Sequence, residues 1–350
     1  MLQNRNEHMN KYLQVLFIVI ALLFAPAGGF AKQEHLVQGR TMGTTYHIKV
    51  VTGDSQSIAG LKEKIDRRLA EINQSMSTYK KDSEISRFND FKTLNQGFQV
   101  SNDFYQVMKI AQEIFKLCEG AWDGTVHPLV DLWGFGPTER KRALPAQQAI
   151  AELLSEIGFE NILILDGGEL VKKRRPVTLD LSSIAKGYGV DQVADVIRKE
   201  GFQNYLVEIG GEVFASGYRA DGKLWRIGIN RPKTDAAIND VYEIVDLHDK
   251  AFATSGDYRN FFFIDGKRYS HIIDPRTGYP VSNGVVSVTI IADTCTFADG
   301  LATGIMVMGV EKGLALINRL EETEGLIIIE KQDGSLLPYY SSGFEVVSQR

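Results

Sequence analysis

Thiols are almost missing from this chain: Cys118 and Cys295 are the only cysteines among 350 residues. They stand too far apart to form a recognisable metal or redox motif. Their spacing leaves open one disulfide in an oxidising compartment or two buried thiols. The common nucleotide signatures are missing as well, with no G-x-x-x-x-G-K-[ST] loop and no G-x-G-x-x-G between a strand and a helix. Any nucleotide is therefore held in another way. The lack of H-E-x-x-H and of G-x-S-x-G removes the zinc metalloprotease and α/β-hydrolase readings. Charge of one sign is also scarce: 39 basic and 44 acidic residues give a net charge of -5, and no stretch is basic enough for a nucleic-acid groove. Lys172-Lys173-Arg174-Arg175 comes nearest and reads as a solvated turn.

No long linker, low-complexity tract or internal repeat follows residue 31, which predicts one compact unit over residues 32–350. With 44% hydrophobic residues, that unit can bury a large core. The first 31 residues differ in kind. Arg5 and Lys11 precede an apolar run from Tyr12 to Phe24, and Ala25-Pro26-Ala27 and Gly29-Phe30-Ala31 resemble signal-peptidase sites. This is the pattern of a secretory signal and implies a periplasmic or otherwise extracytoplasmic location. The run falls short of the roughly 20 residues that a membrane-spanning helix takes, and no cysteine follows it to carry a lipid. Membrane association would then rest on an uncleaved signal.

Apolar periodicity predicts a strand over Thr44 to Val51 and helices over Ile58 to Ser75, Asn102 to Gly120 and 147 to 157. Ile162 to Leu165 reads as a strand entering an Asp166-Gly167-Gly168 turn, with Val171 to Leu179 as its hairpin partner. A helix over Gly187 to Lys199 places Val190, Val193, Ala194 and Ile197 on one face. Strands are predicted at Tyr205 to Ile209, Val213 to Ser216, Trp225 to Asn230, Arg268 to Ile273 and Val285 to Ile291, before a helix from Thr296 to Met308. This mixed order is α+β, not a doubly wound nucleotide fold.

Four segments carry chemistry. In Thr294 to Thr303, Asp299 and Thr303 lie one helical turn apart, so a carboxylate and a hydroxyl converge as hard oxygen ligands suited to Mg²⁺. Thr296 and Asp299 also have the spacing of a capping box, which needs no metal. Leu179 to Gly189 leaves a strand and enters a helix; its backbone N–H groups, Ser182, Ser183 and Lys186 would favour phosphate, while Asp180 or Ser182 as a plain helix cap explains the same residues. Ser270 to Gly278 puts His271 on a strand before an Asp274-Pro275 turn, as a proton acceptor or a satisfied core histidine. Gly120 to Gly136 is dense in aromatics and glycines, either enclosing a planar ring or sealing the core.

Taken in this order, these segments resemble the ApbE family of flavin transferases, the FAD:protein FMN transferases. The likeness spans roughly residues 36 to 320 and extends to Thr41 to Tyr46, Met76 to Tyr79, Glu208 to Glu212 and Ala253 to Tyr258. It implies a single α+β unit similar to the T-fold. It also implies FAD as substrate, held near Met42 and Tyr79, along Ala121-Trp122-Asp123, and by Ser182 and the residues after it, Lys186 included, with Ile272 beside the flavin nucleotide. Mg²⁺ would be the cofactor, with the Asp299 carboxylate, the Thr303 hydroxyl and the Ala185 carbonyl as ligands. His271 would be the base, oriented by Asp274, with Lys186 assisting. Partners would be acceptor subunits of membrane redox complexes, such as sodium-pumping quinone reductases, carrying a threonine or serine target. The same site leaves two neighbouring activities open: an FAD pyrophosphatase yielding FMN and AMP, and a periplasmic flavin-binding protein that cuts nothing.

Overall fold

Tyr205, Val207 and Ile209 alternate with half-exposed neighbours and bury one face of a strand. The same period of two builds a central sheet whose strands are β1 (Gln33–Thr41), β2 (Thr44–Thr52), β3 (Tyr205–Ile209), β4 (Glu212–Ser216), β5 (Lys250–Gly256), β6 (Val285–Ala292), β7 (Glu324–Glu330) and β8 (Leu336–Tyr340). Each pairs antiparallel with the next, so the order across the sheet is the order along the chain. These coordinates are a computed structural model and describe residues 32–136, 143–234, 236, 237, 240–258 and 260–347. The expected signal, residues 1–31, lies outside the described residues.

Four helices are long enough to matter for the site: α1 (Leu61–Met76), α2 (Asn102–Leu117), α3 (Ser182–Lys199) and α4 (Cys295–Met308). α3 lies on β3 and β4, α4 lies on β5 and β6, and the two helices pack against each other. Val190, Val193, Ala194 and Ile197 of α3 join Ile48, Val50 and Val207 of the sheet and Leu61, Ile65 and Leu69 of α1 in one buried cluster. α2 packs on α4, whose Ala298, Leu301, Ala302 and Ile305 are buried in a second cluster. The opposite face of the sheet is covered by a hairpin of Trp225–Asn230 and Val241–Leu247, packed on Val213, Ala215, Phe252 and Val286. Among the described residues no helix is long and apolar enough to cross a membrane.

Several expectations from sequence need correction. Of the two readings of the cysteines, the structure bears out the buried thiols: Cys118 and Cys295 are both buried and free. Ile162–Leu165 pairs with Glu169–Lys172, so the partner strand begins two residues before Val171 and ends at Lys172, well short of Leu179: Gly167 and Gly168, both at φ 83°, close the turn within three residues and bring the partner strand in early. Lys172 is no part of a solvated turn. It is fully buried, and its ammonium donates to the Phe88 and Phe91 carbonyls at 2.7 Å each, with burial pulling its pKa down to about 8. The other three members of that basic run are exposed. α3 starts five residues earlier than expected, at Ser182, whose N–H donates to Asp180 Oδ1 at 2.8 Å. α4 is capped by the Thr294 hydroxyl, which accepts from Phe297 N–H at 3.4 Å, so Thr296 and Asp299 do not form the cap.

Candidate active site

One cavity, of about 470 Å³, opens where the N-terminal half of α3, the middle of α4 and the ends of β4 and β5 meet. Its first wall is the glycine- and aromatic-rich loop before the short helix His127–Leu132. Three contacts lay that loop against the start of α3. Asp180 N–H donates to the Gly124 carbonyl at 2.8 Å, Trp122 Nε1–H donates to Ser183 Oγ at 3.0 Å, and His127 Nδ1 lies 3.1 Å from Asp180 Oδ2. Asp123, which also lines the cavity, is itself held from behind: its carboxylate accepts from Thr125 N–H and hydroxyl and from Phe159 N–H, while burial raises its pKa.

The floor is electrostatic. Lys186 of α3 sits 2.5 Å from Glu212 Oε1 and 3.8 Å from Asp299 Oδ1, and both carboxylates are buried. Burial works against the Lys186 charge, but Asp299 and Glu212 outweigh it and hold its pKa above the ordinary lysine value. Burial, then the Asp299 charge, pushes Glu212 well above the carboxylate range; Asp299 is raised by burial against the pull of Lys186. Two acids facing one ammonium leave the floor short of positive charge. Glu212 Oε2 is buried and has no hydrogen-bond partner among the described residues, a state that costs free energy unless a cation or donor arrives. Thr303 Oγ1 lies 2.9 Å from Ser255 Oγ on the same floor. These all-oxygen donors fit Mg²⁺, which takes few protein ligands and keeps waters and phosphate oxygens for the rest. Among the described residues no cluster of three or more His, Cys, Asp or Glu offers a richer metal cage.

His271 closes the far wall, but not from within a strand. The expected strand over Arg268 to Ile273 is broken: Lys267–Ser270 pairs with Phe261–Ile264, and the chain bends at His271 before a two-residue ladder at Ile273–Asp274. The Asn260 carbonyl accepts from His271 N–H at 3.1 Å and lies 3.2 Å from Nδ1. With the Nδ1 proton on that carbonyl, the neutral ring keeps its lone pair on Nε2. Burial lowers the His271 pKa, and the Arg268 guanidinium adds to the effect against the Asn260 bond. Asp274 does not orient this ring. Its carboxylate binds Arg276 through Nε and Nη2 at 2.8 Å each, so its acceptor capacity is turned away from the histidine.

Of the residues singled out from sequence, Ala121, Trp122, Asp123, Ser182, Lys186, His271, Ile272, Asp299 and Thr303 line this one cavity. Met42, Tyr79 and Ala185 do not. Met42 occupies the β1–β2 turn in a left-handed conformation, φ 48°, and its side chain packs towards Gly189 of α3. Tyr79 is 81% exposed beyond the end of α1, and Ala185 sits in the first turn of α3 next to Lys186. Lining groups given no role from sequence include His127, Glu212 and Ser255, and Asp180 stood there only as a helix cap. Glu212 and Ser255 stand inside Glu208 to Glu212 and Ala253 to Tyr258, segments that carried the family likeness, so a signal existed. His127 stands inside Gly120 to Gly136, a segment singled out for its aromatics and glycines and not for this histidine.

The closeness of α3 and α4 depends on Gly187. A Cβ there would overlap the Cys295 carbonyl and come within 2.9 Å of Asp299 Cβ, while Gly187 N–H donates to Asp299 Oδ2 at 3.0 Å. At Gly189 the added carbon would meet the flexible end of Met42 at 3.0 Å and Ile209 Cδ1 at 3.4 Å, with no backbone among its nearest neighbours. Gly187→Ala is therefore expected to cost about 1–3 kcal/mol of stability and to displace Asp299. Gly189→Ala should cost less. Thermal melts and activity measured on both variants check the pair; equal behaviour would remove the role assigned to Gly187.

Residues 42–327 match the ApbE family. The chain is 47% identical over 328 residues to the FAD:protein FMN transferase of Vibrio cholerae serotype O1, covering 93% of this chain and 95% of that one. It is 42% identical over 320 residues to the FAD:protein FMN transferase of Haemophilus influenzae, covering 89% and 91%. Among solved structures, the Flavin Transferase ApbE from Vibrio cholerae superposes with a TM-score of 0.81 at 45% identity, over 89% of this chain and 98% of that one. Likeness in sequence and in fold thus runs through nearly the whole length of both partners, and this chain belongs to the ApbE family.

Proposed function

We propose that this chain moves the FMN half of FAD onto a threonine or serine hydroxyl of a protein acceptor, with Mg²⁺ as cofactor and AMP as the other product. The transferase activity rests on kinship: the relatives matched over most of their length are FAD:protein FMN transferases. The observation that carries the chemistry is the floor of the cavity, where Lys186, Glu212 and Asp299 converge with one carboxylate oxygen unpartnered.

In the reaction, the acceptor oxygen bonds to the FMN-side phosphorus of FAD, the bond from that phosphorus to AMP breaks, and His271 Nε2 takes the hydroxyl proton. Asp299, Thr303 and the Ala185 carbonyl would hold Mg²⁺, with Glu212 close by. When bound, the ion supplies positive charge to the diphosphate, which is the main lever in phosphoryl transfer. Lys186 adds a second cation towards the same oxygens. The Trp122 wall would shield the dinucleotide from water, favouring transfer to a hydroxyl over hydrolysis. The apolar run and small residues of the first 31 positions support an extracytoplasmic setting, in which acceptors would be subunits of membrane redox complexes.

The test mixes the full chain with FAD, Mg²⁺ and a threonine-bearing redox subunit, then looks for flavin fluorescence on the denatured acceptor. Fluorescence that survives denaturation and disappears with EDTA supports the reading. FMN release without acceptor would instead mark a pyrophosphatase, and intact FAD after prolonged incubation a binding protein.

A further inference from the structure

The mechanism above uses one histidine, yet the cavity has two. His127 lines it from the loop wall. Its Nδ1 is tied to Asp180 Oδ2 at 3.1 Å, and the other oxygen of that carboxylate accepts from Ser182 N–H at 2.8 Å. The carboxylate is thus fixed from one side by the start of α3, so it in turn fixes the imidazole plane. Nε2 has no hydrogen-bond partner among the described residues, although the side chain is only 25% exposed. A half-buried ring held by a carboxylate, with its second nitrogen unpartnered in a cavity, is arranged to meet a ligand atom.

We propose that His127, positioned by Asp180, binds the substrate directly, donating a hydrogen bond from Nε2 to a phosphate oxygen of the dinucleotide. Once Nδ1 has given its hydrogen to Asp180, Nε2 can donate only when the ring is protonated. The Asp180 hydrogen bond favours that form against burial, with the Asp180 and Asp131 charges adding to it. The other titratable groups lining the cavity are Asp123, Lys186, Glu212, His271 and Asp299. Lys186 lies on the floor beside Glu212 and Asp299 and not on the loop wall. This leaves the loop wall without a cation for phosphate unless His127 supplies it. The inference rests on the flavin-transfer reading above, since it names a contact to that substrate.

The experiment compares the full chain with His127→Gln and Asp180→Asn, using FAD, AMP and riboflavin as probes in direct titrations, and measures KM and kcat for transfer. Loss of one charge-assisted hydrogen bond should weaken FAD and AMP binding about tenfold or more in His127→Gln. Riboflavin, which has no phosphate, should bind unchanged, and KM for FAD should rise with its dissociation constant. In the wild type, FAD affinity should fall as the pH climbs past the elevated pKa of His127. Asp180→Asn keeps an acceptor for Ser182 N–H but removes the charge behind the ring, and should move that fall to lower pH. Equal losses for riboflavin, unchanged FAD affinity, or a collapse of kcat at unchanged affinity would each overturn the assignment. Wild-type transfer run in parallel separates the two readings: if no FMN moves, the transfer reading fails, while the titrations still decide whether His127 meets phosphate.

Discussion

Asp299→Ala is expected to lower flavin transfer about a thousandfold, because it removes the only carboxylate of the proposed Mg²⁺ ligand set from the point where phosphoryl charge develops. The loss should not come from unfolding. Asp299 is fully buried, and its pKa in the folded chain is raised above the unfolded value. By linkage, an acid with a raised folded pKa opposes folding once the pH exceeds its unfolded pKa, so its ionised form is a burden on stability near neutrality. Asp299→Asn can retain an acceptor for Gly187 N–H while deleting the charge. Its melting temperature should equal or exceed that of the wild type, with transfer still lost and Mg²⁺ no longer restoring it. Measurement of covalent flavin on a denatured acceptor across a Mg²⁺ series checks this; full activity in Asp299→Asn would end the metal assignment.

His271→Ala should reduce kcat by about 10²–10⁴-fold, the usual contribution of a positioned general base, with little change in FAD affinity. The pH dependence follows from the sign of its shift. A base acts when neutral, and burial keeps the His271 pKa below the ordinary 6.5. At saturating FAD, the His271 titration should therefore leave wild-type kcat level across neutral pH and lower it only on the acid side of 6.5. In His271→Ala that acid limb should vanish, leaving a low rate that rises with hydroxide. A limb centred above 6.5, or a variant that loses FAD binding instead of kcat, would show that the ring serves another purpose. His127 differs in the opposite direction: its pKa is raised by Asp180. The environments of the two cavity histidines thus push their proton affinities in opposite directions.

Elements with strong periodicity were legible in the sequence. Val190, Val193, Ala194 and Ile197 fall on one face of α3 and all four are buried. Tyr205 to Ile209 is a strand with the expected bounds. Boundaries set by contacts distant in sequence were not legible. The start of α4 is held by Asp191, 104 residues before Cys295, which accepts from Cys295 and Thr296 N–H at 2.8 Å each, and the bend at His271 is held by the Asn260 carbonyl. Lys172 looked like a surface lysine because nothing adjacent in sequence announces the two carbonyls that hold it, which lie more than 80 residues upstream.

For the site, the sequence by itself determined which kinds of group are present: a hydroxyl and a carboxylate one helical turn apart, a lysine near a helix start, a histidine beside an Asp-Pro turn. Residue type and short-range spacing are local properties, and an ordered set of such segments was enough to identify the family. Only the tertiary structure decided their company. It set Glu212 against Lys186, turned Asp274 away from His271 towards Arg276, left Met42 and Tyr79 off the cavity, and brought His127 to Asp180. The Lys186–Glu212 and His127–Asp180 pairings join separate elements and are fixed by how the sheet and helices pack, whereas Asp274 meets Arg276 within one turn. Burial at those pairings is what shifts the proton affinities on which the chemistry runs.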